Sequence, residues 1–472
     1  MNQIPSLCLA ALSAMLVACG SGSPLGGDPG NPPVAVDGPT PKAACGPGSK
    51  PETGLQGRVS RADHESGRAA EGYTCNTVMV SNYFTSNPIG TVGGFKVERY
   101  TDKAGHDCAY YDTTLLYPTN AADGQAGVNV LDMSDPAKPV LTARLVTPAM
   151  LSPHESLVLS QQAGVLAAVM GNPSFYPGIV DVYSLEPDCR NPTPAASAPV
   201  GFLGHESGMA PDGKTFYSAS PGTPTLTAVD ISTPNLPLPL WTGDFTSHGL
   251  SISNDGNRAY VSAGNDQGVL VLDVSQIQSR AANPQVTELG RVSWPNKTIP
   301  QNAIPFTRNG KPYLLEIDEY SSNGDGVAAH GSIVGAGRII DISDETKPFV
   351  LSNLRLEVHE PENRDAIGDD PGAALPVQGY AGHYCNIPTR VNPDIAACSM
   401  IASGLRIFDI RDPAKPREIA YFIAPIKPRL TPVFEASAWA MSSPSFVTER
   451  KEIWYSDGFG GFYVVRVTNG VW

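Results

Sequence analysis

Four histidines spell out the clearest chemistry in this sequence. They are His154 in P-H-E-S, His205 in G-H-E-S, His248 in S-H-G and His383 in G-H-Y, four of the eight histidines present. Each follows one extended apolar segment and opens the next, so all four hold one place in a repeating unit. Asn302 (Q-N-A) and Glu435 (F-E-A) hold that place in two further units. The register is supported internally. The intervals His205–Gly213, His248–Gly256 and Asn302–Gly310 are equal, and each Gly closes a turn (P-D-G, N-D-G, R-N-G). One unit is ambiguous: His64 (D-H-E-S) follows its outer segment directly, whereas Tyr73 aligns with His383 through a shared Y/T-C-N context.

Neutral imidazoles converging from several strands, with a carboxylate, suit Zn, Cu, Fe or Ni. The set His154, His205, His248, His383 and Glu435 is therefore a candidate transition-metal site, with Asn302 and His64 as further polar groups at the same mouth. The competing reading is a ring of structural histidines that donate hydrogen bonds between units. Side chains alternate along a strand, so Glu155 and Glu206 are expected to point away from their neighbouring histidines. By the same rule Ser156 and Ser207 do not form a dyad with the adjacent Glu. Nucleophile motifs (G-x-S-x-G, H-E-x-x-H) are absent.

The units that must position these residues are short strands. Val128–Pro139 reads V-N-V-L-D-M-S-D-P-A-K-P and Leu405–Pro416 reads L-R-I-F-D-I-R-D-P-A-K-P. Related phrases end on Asp181, Asp230, Asp273 and Asp341, and G-F-Y-V-V-R-V puts Arg466 in the same register. Each is a β-branched run stopped by a Ser/Asp/Pro turn. A four-stranded blade takes roughly 40–50 residues. The longer intervals before Asp341 and Asp409 therefore carry loop insertions. Many short strands with Gly/Pro turns and no sustained helical period predict an all-β, seven-bladed β-propeller.

The phrase resembles the LVIVD repeat of bacterial and archaeal surface β-propellers, and the resemblance covers nearly all the chain beyond residue 50. It implies the fold and says almost nothing of chemistry. In other propeller families, histidines at the channel mouth serve either as metal ligands or as structural donors between blades, and fold likeness alone does not choose between them.

The seventh unit lacks an outer strand, because the chain stops at Trp472. L-Q-G-R-V-S (Leu55–Ser60) matches L-G-R-V-S (Leu289–Ser293), an outer strand. The N-terminal segment is thus predicted to supply the last strand of the last blade and close the ring, with Leu55–Ser60 pairing onto Tyr463–Val467.

Residues 4–18 are apolar and lead into L-V-A-C (Leu16–Cys19), a lipobox like that of bacterial lipoprotein precursors. The expected organisation is a signal peptide over 1–18, a Gly/Pro/Ser-rich tether over 19–50 and the propeller over 51–472, with Cys19 acylated. Met1–Leu7 has no Lys or Arg, unlike a usual leader. The expected location is the bacterial envelope, as an outer-membrane lipoprotein facing the periplasm or the surface. The net charge of −14 carries no basic stripe, which argues against nucleic acid and against adhesion to anionic headgroups. The membrane is met through the lipid, and the loops are free for a protein, glycan or small-molecule partner.

Six cysteines remain: Cys45, Cys75, Cys108, Cys189, Cys385 and Cys398. In an exported chain they suggest disulfides, and no C-x-x-C pair favours a metal. Repeat register predicts Cys75–Cys108 and Cys385–Cys398, leaving Cys45 with Cys189. Two acidic stretches lie in the longest insertions. Glu316–Glu319 alternates along a strand into a Gly/Ser loop, Ser321–Gly326. Glu360–Asp370 could offer oxygens to Ca²⁺, without EF-hand spacing. The sequence thus supports an envelope-anchored binding scaffold first and a metal-dependent enzyme second.

Overall fold

Apolar β-branched runs broken by Asp/Ser/Pro turns give seven small antiparallel sheets arranged as a ring. The computed structural model describes residues 38–472 except 86–91, 114–125, 172–175, 264–267, 295–297, 322–332, 375–378 and 428–435. Glu435 and Cys19 lie outside the described residues.

Blade one runs through Val97–Thr101, Asp107–Asp112, Val128–Asp132 and Val140–Leu145. Blades two to six follow the same meander, with innermost strands Val158–Ser160, Glu206–Met209, Leu250–Ile252, Ile299–Arg308 and Tyr384–Asn386. Blade seven holds Ser445–Val447, Glu452–Asp457 and Gly461–Val467. The repeat phrase forms the third strand of each blade. It is buried on both faces, which is why it reads as a continuous apolar run rather than an alternation.

The Asp ending that phrase closes the next turn. Asp132, Asp230, Asp273, Asp341 and Asp409 each accept the backbone N–H two residues on. Asp181 does not hold this place. Ser184 ends its strand instead, and Asp181 accepts the N–H groups of Ala149 and Met150. Arg466 keeps the register with its charge reversed. It pairs with Glu452 at 2.7 Å, where Arg258 pairs with Asp273 at 3.5 Å in blade four.

The ring is closed by an N-terminal strand, as expected, but by another stretch. Thr77–Tyr83 pairs antiparallel with Gly461–Val467. Its pairing carries a register shift between Met79 and Ser81, and every third-to-fourth strand pair in the ring has such a bulge. Leu55–Ser60 is no strand. Gly57 there has φ +91°, and a Cβ would meet Leu356, Val358 and Ser403 within 3 Å. That turn lays Gln56 against Glu418 and Val59 against blade six. Tyr73–Cys75 adds a fifth strand to blade six. The N-terminal segment therefore stitches blade six to blade seven. Residues before 50 join it: the Thr40 N–H donates to Arg355 O, and Lys50 bridges to Thr74.

All six cysteines form disulfides: Cys45–Cys75, Cys108–Cys189 and Cys385–Cys398. The last is the pairing expected. The other two expected pairs are exchanged because Cys75 lies on an outer edge strand, not on the innermost strand of a blade. Cys108 sits at the far end of blade one, beside the blade-two turn that holds Cys189. No helix among the described residues is long and apolar enough to cross a membrane.

Candidate functional site

His154, His205, His248 and His383 stand at or just before the start of innermost strands, and the fold brings all four together on the ring axis. Ring centroids of His154 and His205 are 4.5 Å apart, and those of His205 and His248 are 5.0 Å apart. All four are buried, His383 completely. Phe95 holds the corresponding place in blade one and packs on His154 at 4.5 Å and His383 at 5.1 Å. His64 is elsewhere, on the short helix Arg61–Ser66. Blade one starts at Val97, so neither His64 nor Tyr73 opens it.

Glu155 sits at the centre of the cluster, contrary to the alternation argument. It precedes the strand, which begins only at Val158, and His154 takes a left-handed φ of 53° that breaks the alternation. Its Oε2 lies 3.2 Å from His205 Nε2 and 3.6 Å from His248 Nε2, and its Oε1 lies 3.1 Å from His383 Nε2. A second carboxylate arrives from blade five. Glu319 Oε1 lies 3.6 Å from His248 Nε2, and Glu319 Oε2 lies 3.5 Å from His383 Nε2. Alternation does hold along Lys311–Glu319. Glu316 and Asp318 share a face and pair with Arg338, which leaves Glu319 for the axis.

Two imidazoles are fixed from behind. His248 Nδ1 donates to Pro300 O at 3.0 Å and His383 Nδ1 donates to Met441 O at 2.7 Å. Each therefore presents Nε2 to the carboxylates, and the Nε2 of His383 has no hydrogen-bond partner. The Nδ1 of His154 is likewise buried without one. Fixing one ring nitrogen on a main-chain acceptor while freeing the other is how proteins orient histidine metal ligands. Burial pushes His154 down to about 3 and His248 down to about 4 against the pull of Glu155, so both are neutral at pH 7. Burial raises the Glu155 carboxyl, yet the surrounding imidazoles, His154 foremost, hold it well below the usual range. Glu319 is pushed well above it by burial and by the charges of Glu155, Glu206 and Asp318.

A second polar layer lies beneath the first. Glu206 accepts from Lys96 Nζ at 3.1 Å and from Asn302 Nδ2 at 2.7 Å, and Lys96 Nζ sits 3.9 Å above the Tyr384 ring. A bulge between Pro300 and Asn302 turns Asn302 to Glu206 and away from the histidines. Burial raises the Glu206 carboxyl to about 7. Lys96, Asn302 and Ser207 also line a cavity of about 530 Å³, together with Ile252 and Arg390.

The candidate Ca²⁺ stretch uses its buried carboxylates otherwise: Glu360 pairs with Arg355 at 2.9 Å and Asp370 with Arg58 at 2.8 Å. Among the described residues, three groups of His and carboxylate atoms converge closely enough for an ion. Two are His154–Glu155–His205 and Glu155–Glu319–His383; the third, Asp102–His106–Asp188, is partly exposed. In the third, Asp102 is taken up by the Cys189 N–H and by His106, and Asp188 by Arg190. Of the axial donor groups, the histidines are legible from repeat position, whereas strand alternation directs Glu155 away from the axis and Glu319 reads only as part of an acidic run.

The ring and its axial cluster define a seven-bladed β-propeller with a buried His/Glu centre. Residues 121–147 match the family model described as LVIVD repeat, and the seven blades fit the β-propeller that the repeat resemblance implies. No curated protein matches the chain. Among solved structures, a chain of a mitotic checkpoint complex is similar at 10% identity and TM-score 0.48, covering 83% of this chain and 93% of that one. A chain of the hydrazine synthase of Kuenenia stuttgartiensis is similar at 14% identity and TM-score 0.47, covering 81% and 99%. Likenesses at this level carry no argument about function.

Proposed function

We propose that this chain is an envelope-tethered, metal-dependent β-propeller that binds a transition metal (Zn, Cu, Fe or Ni) on its axis. Its protein ligands are His154, His205, His248, His383, Glu155 and Glu319. One observation carries the reading. His248 and His383, each with Nδ1 committed to a main-chain carbonyl, aim Nε2 at carboxylate oxygens 3.1–3.6 Å away inside a buried space. A lone pair facing a buried carboxylate is repulsive unless a proton or a metal cation lies between them, and the convergence of several such contacts on two carboxylates favours the metal. Imidazole and carboxylate donors on one centre suit a first-row transition metal.

The test is elemental analysis of protein purified from its native envelope without a histidine tag. At least one equivalent of a first-row metal per chain is expected, and metal-free folded protein would overturn the reading. Envelope attachment is proposed through Cys19. Labelled fatty acid should enter the wild type and not Cys19→Ala; an unlabelled, freely soluble wild type would refute it.

The propeller with its LVIVD repeat also supports a coarser reading, an interaction scaffold. The exposed aromatic pair Tyr176 and Phe202, with ring centroids 5.7 Å apart, favours a partner surface on the loops of blade two. A protein, glycan or small molecule would be the ligand there. Loss of binding by Tyr176→Ser/Phe202→Ser, with metal content unchanged, would separate that role from the axial one.

A further inference from the structure

We infer that the axial centre is dinuclear: it holds two divalent transition-metal ions bridged by the carboxylates of Glu155 and Glu319. The inference rests on the metal-binding reading above and adds the number of ions and the role of each carboxylate.

Both carboxylates straddle the histidines. Glu155 turns Oε2 toward His205 and His248 and Oε1 toward His383. Glu319 turns Oε1 toward His248 and Oε2 toward His383. Each carboxylate thus gives one oxygen to the His205/His248 side and the other to the His383 side. Donor atoms bound to one ion at about 2.1 Å lie about 3.0 Å apart at right angles and about 3.4 Å apart at the tetrahedral angle. The observed separations scatter around those edges. On the first side, His205 Nε2 and His248 Nε2 are 3.1 Å apart, and Glu155 Oε2 lies 3.2 Å and 3.6 Å from them. On the second side, His383 Nε2 lies 3.1 Å from Glu155 Oε1 and 3.5 Å from Glu319 Oε2.

A single ion would use one oxygen of each carboxylate and leave the other facing a bare imidazole nitrogen. Two ions use all four oxygens. The convergent groups divide the same way, His154–Glu155–His205 and Glu155–Glu319–His383, with Glu155 common to both. Paired ions in such sites lie about 3.5–4 Å apart, a span that a carboxylate bridges. The first ion takes His205, His248 and one oxygen from each carboxylate. The second takes His383 and the other two oxygens, and His154, which converges with Glu155 and His205, completes the first set. Coordination positions remain on both for water or a substrate oxygen.

The test is a titration of chelator-stripped full-length protein with Mn(II), followed by equilibrium binding and electron paramagnetic resonance. Circular dichroism would confirm that the stripped protein stays folded. Two Mn(II) per chain are expected, with the isolated-ion spectrum giving way to that of an exchange-coupled pair as the second ion enters. Glu319→Gln should lower the stoichiometry below two and abolish the coupling. One Mn(II) per chain, or two without coupling, would overturn the dinuclear inference and leave a metal site standing. No binding of Mn(II), Zn(II) or Co(II) would overturn both.

Discussion

His383 and Glu155 face each other across the axis, Nε2 to Oε1 at 3.1 Å, while the opposite ring nitrogen of His383 donates to Met441 O at 2.7 Å. Blade six supplies one partner and the approach to blade two the other. The contact therefore exists only when the ring is closed, and it ties the chemistry of the centre to the architecture around it.

Loss of one ligand should weaken metal binding far more than it weakens the fold. His248→Ala is expected to lower metal affinity by more than the roughly 10–100-fold that loss of an outer-shell partner costs. Seven packed blades should keep the far-UV circular dichroism unchanged. Metal content and dichroism of the same preparation check this; an unfolded variant, or one with full metal content, contradicts it.

The clasp predicts two different truncation outcomes. A chain beginning at Arg61 loses the Cys45–Cys75 disulfide and the Leu55–Ser60 turn but keeps Thr77–Tyr83 on blade seven. It should remain monodisperse with a lowered Tm, since loss of a disulfide costs about 2–5 kcal/mol. A chain beginning at Phe84 leaves the edge of Gly461–Val467 open and should aggregate. Light scattering and thermal melts distinguish them, and equal behaviour would refute the closure.

Asp112 gives a pH signature of its own, from the blade-one side of the axis. It is fully buried at the end of a blade-one strand, and burial raises its carboxyl to about 8 against hydrogen bonds from Lys96 N and Phe95 N. An acid whose folded value lies above its unfolded one holds its proton better in the folded state. Its contribution to stability is therefore full below about pH 4, falls as pH rises, and is lost above about pH 8. Asp112→Asn, which cannot ionise, should show a shallower decline in Tm between pH 4 and pH 8 than the wild type. Parallel curves would show that Asp112 titrates normally.

The sequence made the ring and its histidines legible for a physical reason. A buried third strand must be apolar on both faces, and the turn after it needs an Asp acceptor, so the repeat phrase is visible as at Asp132 and Asp409. The histidine register followed from it. What stayed hidden depended on local departures from strand geometry. Glu155 turns inward because His154 has positive φ, and Asn302 turns away because of a bulge. The clasp was misplaced for a related reason. Leu55–Ser60 shares letters with an outer strand, but Gly57 sits in a turn pressed against Leu356 and Val358. Cys75 matched Cys385 by neighbouring letters although the two occupy opposite edges of blade six.

The most direct test of the axial centre is anomalous X-ray scattering from crystals of protein purified with its native metal, recorded on both sides of that metal's absorption edge. The account predicts anomalous density between the Nε2 atoms of His248 and His383 and the carboxylates of Glu155 and Glu319, within bonding distance of both residue types. A crystal of folded protein with no anomalous peak among these four side chains, or with its metal bound only elsewhere, would contradict it.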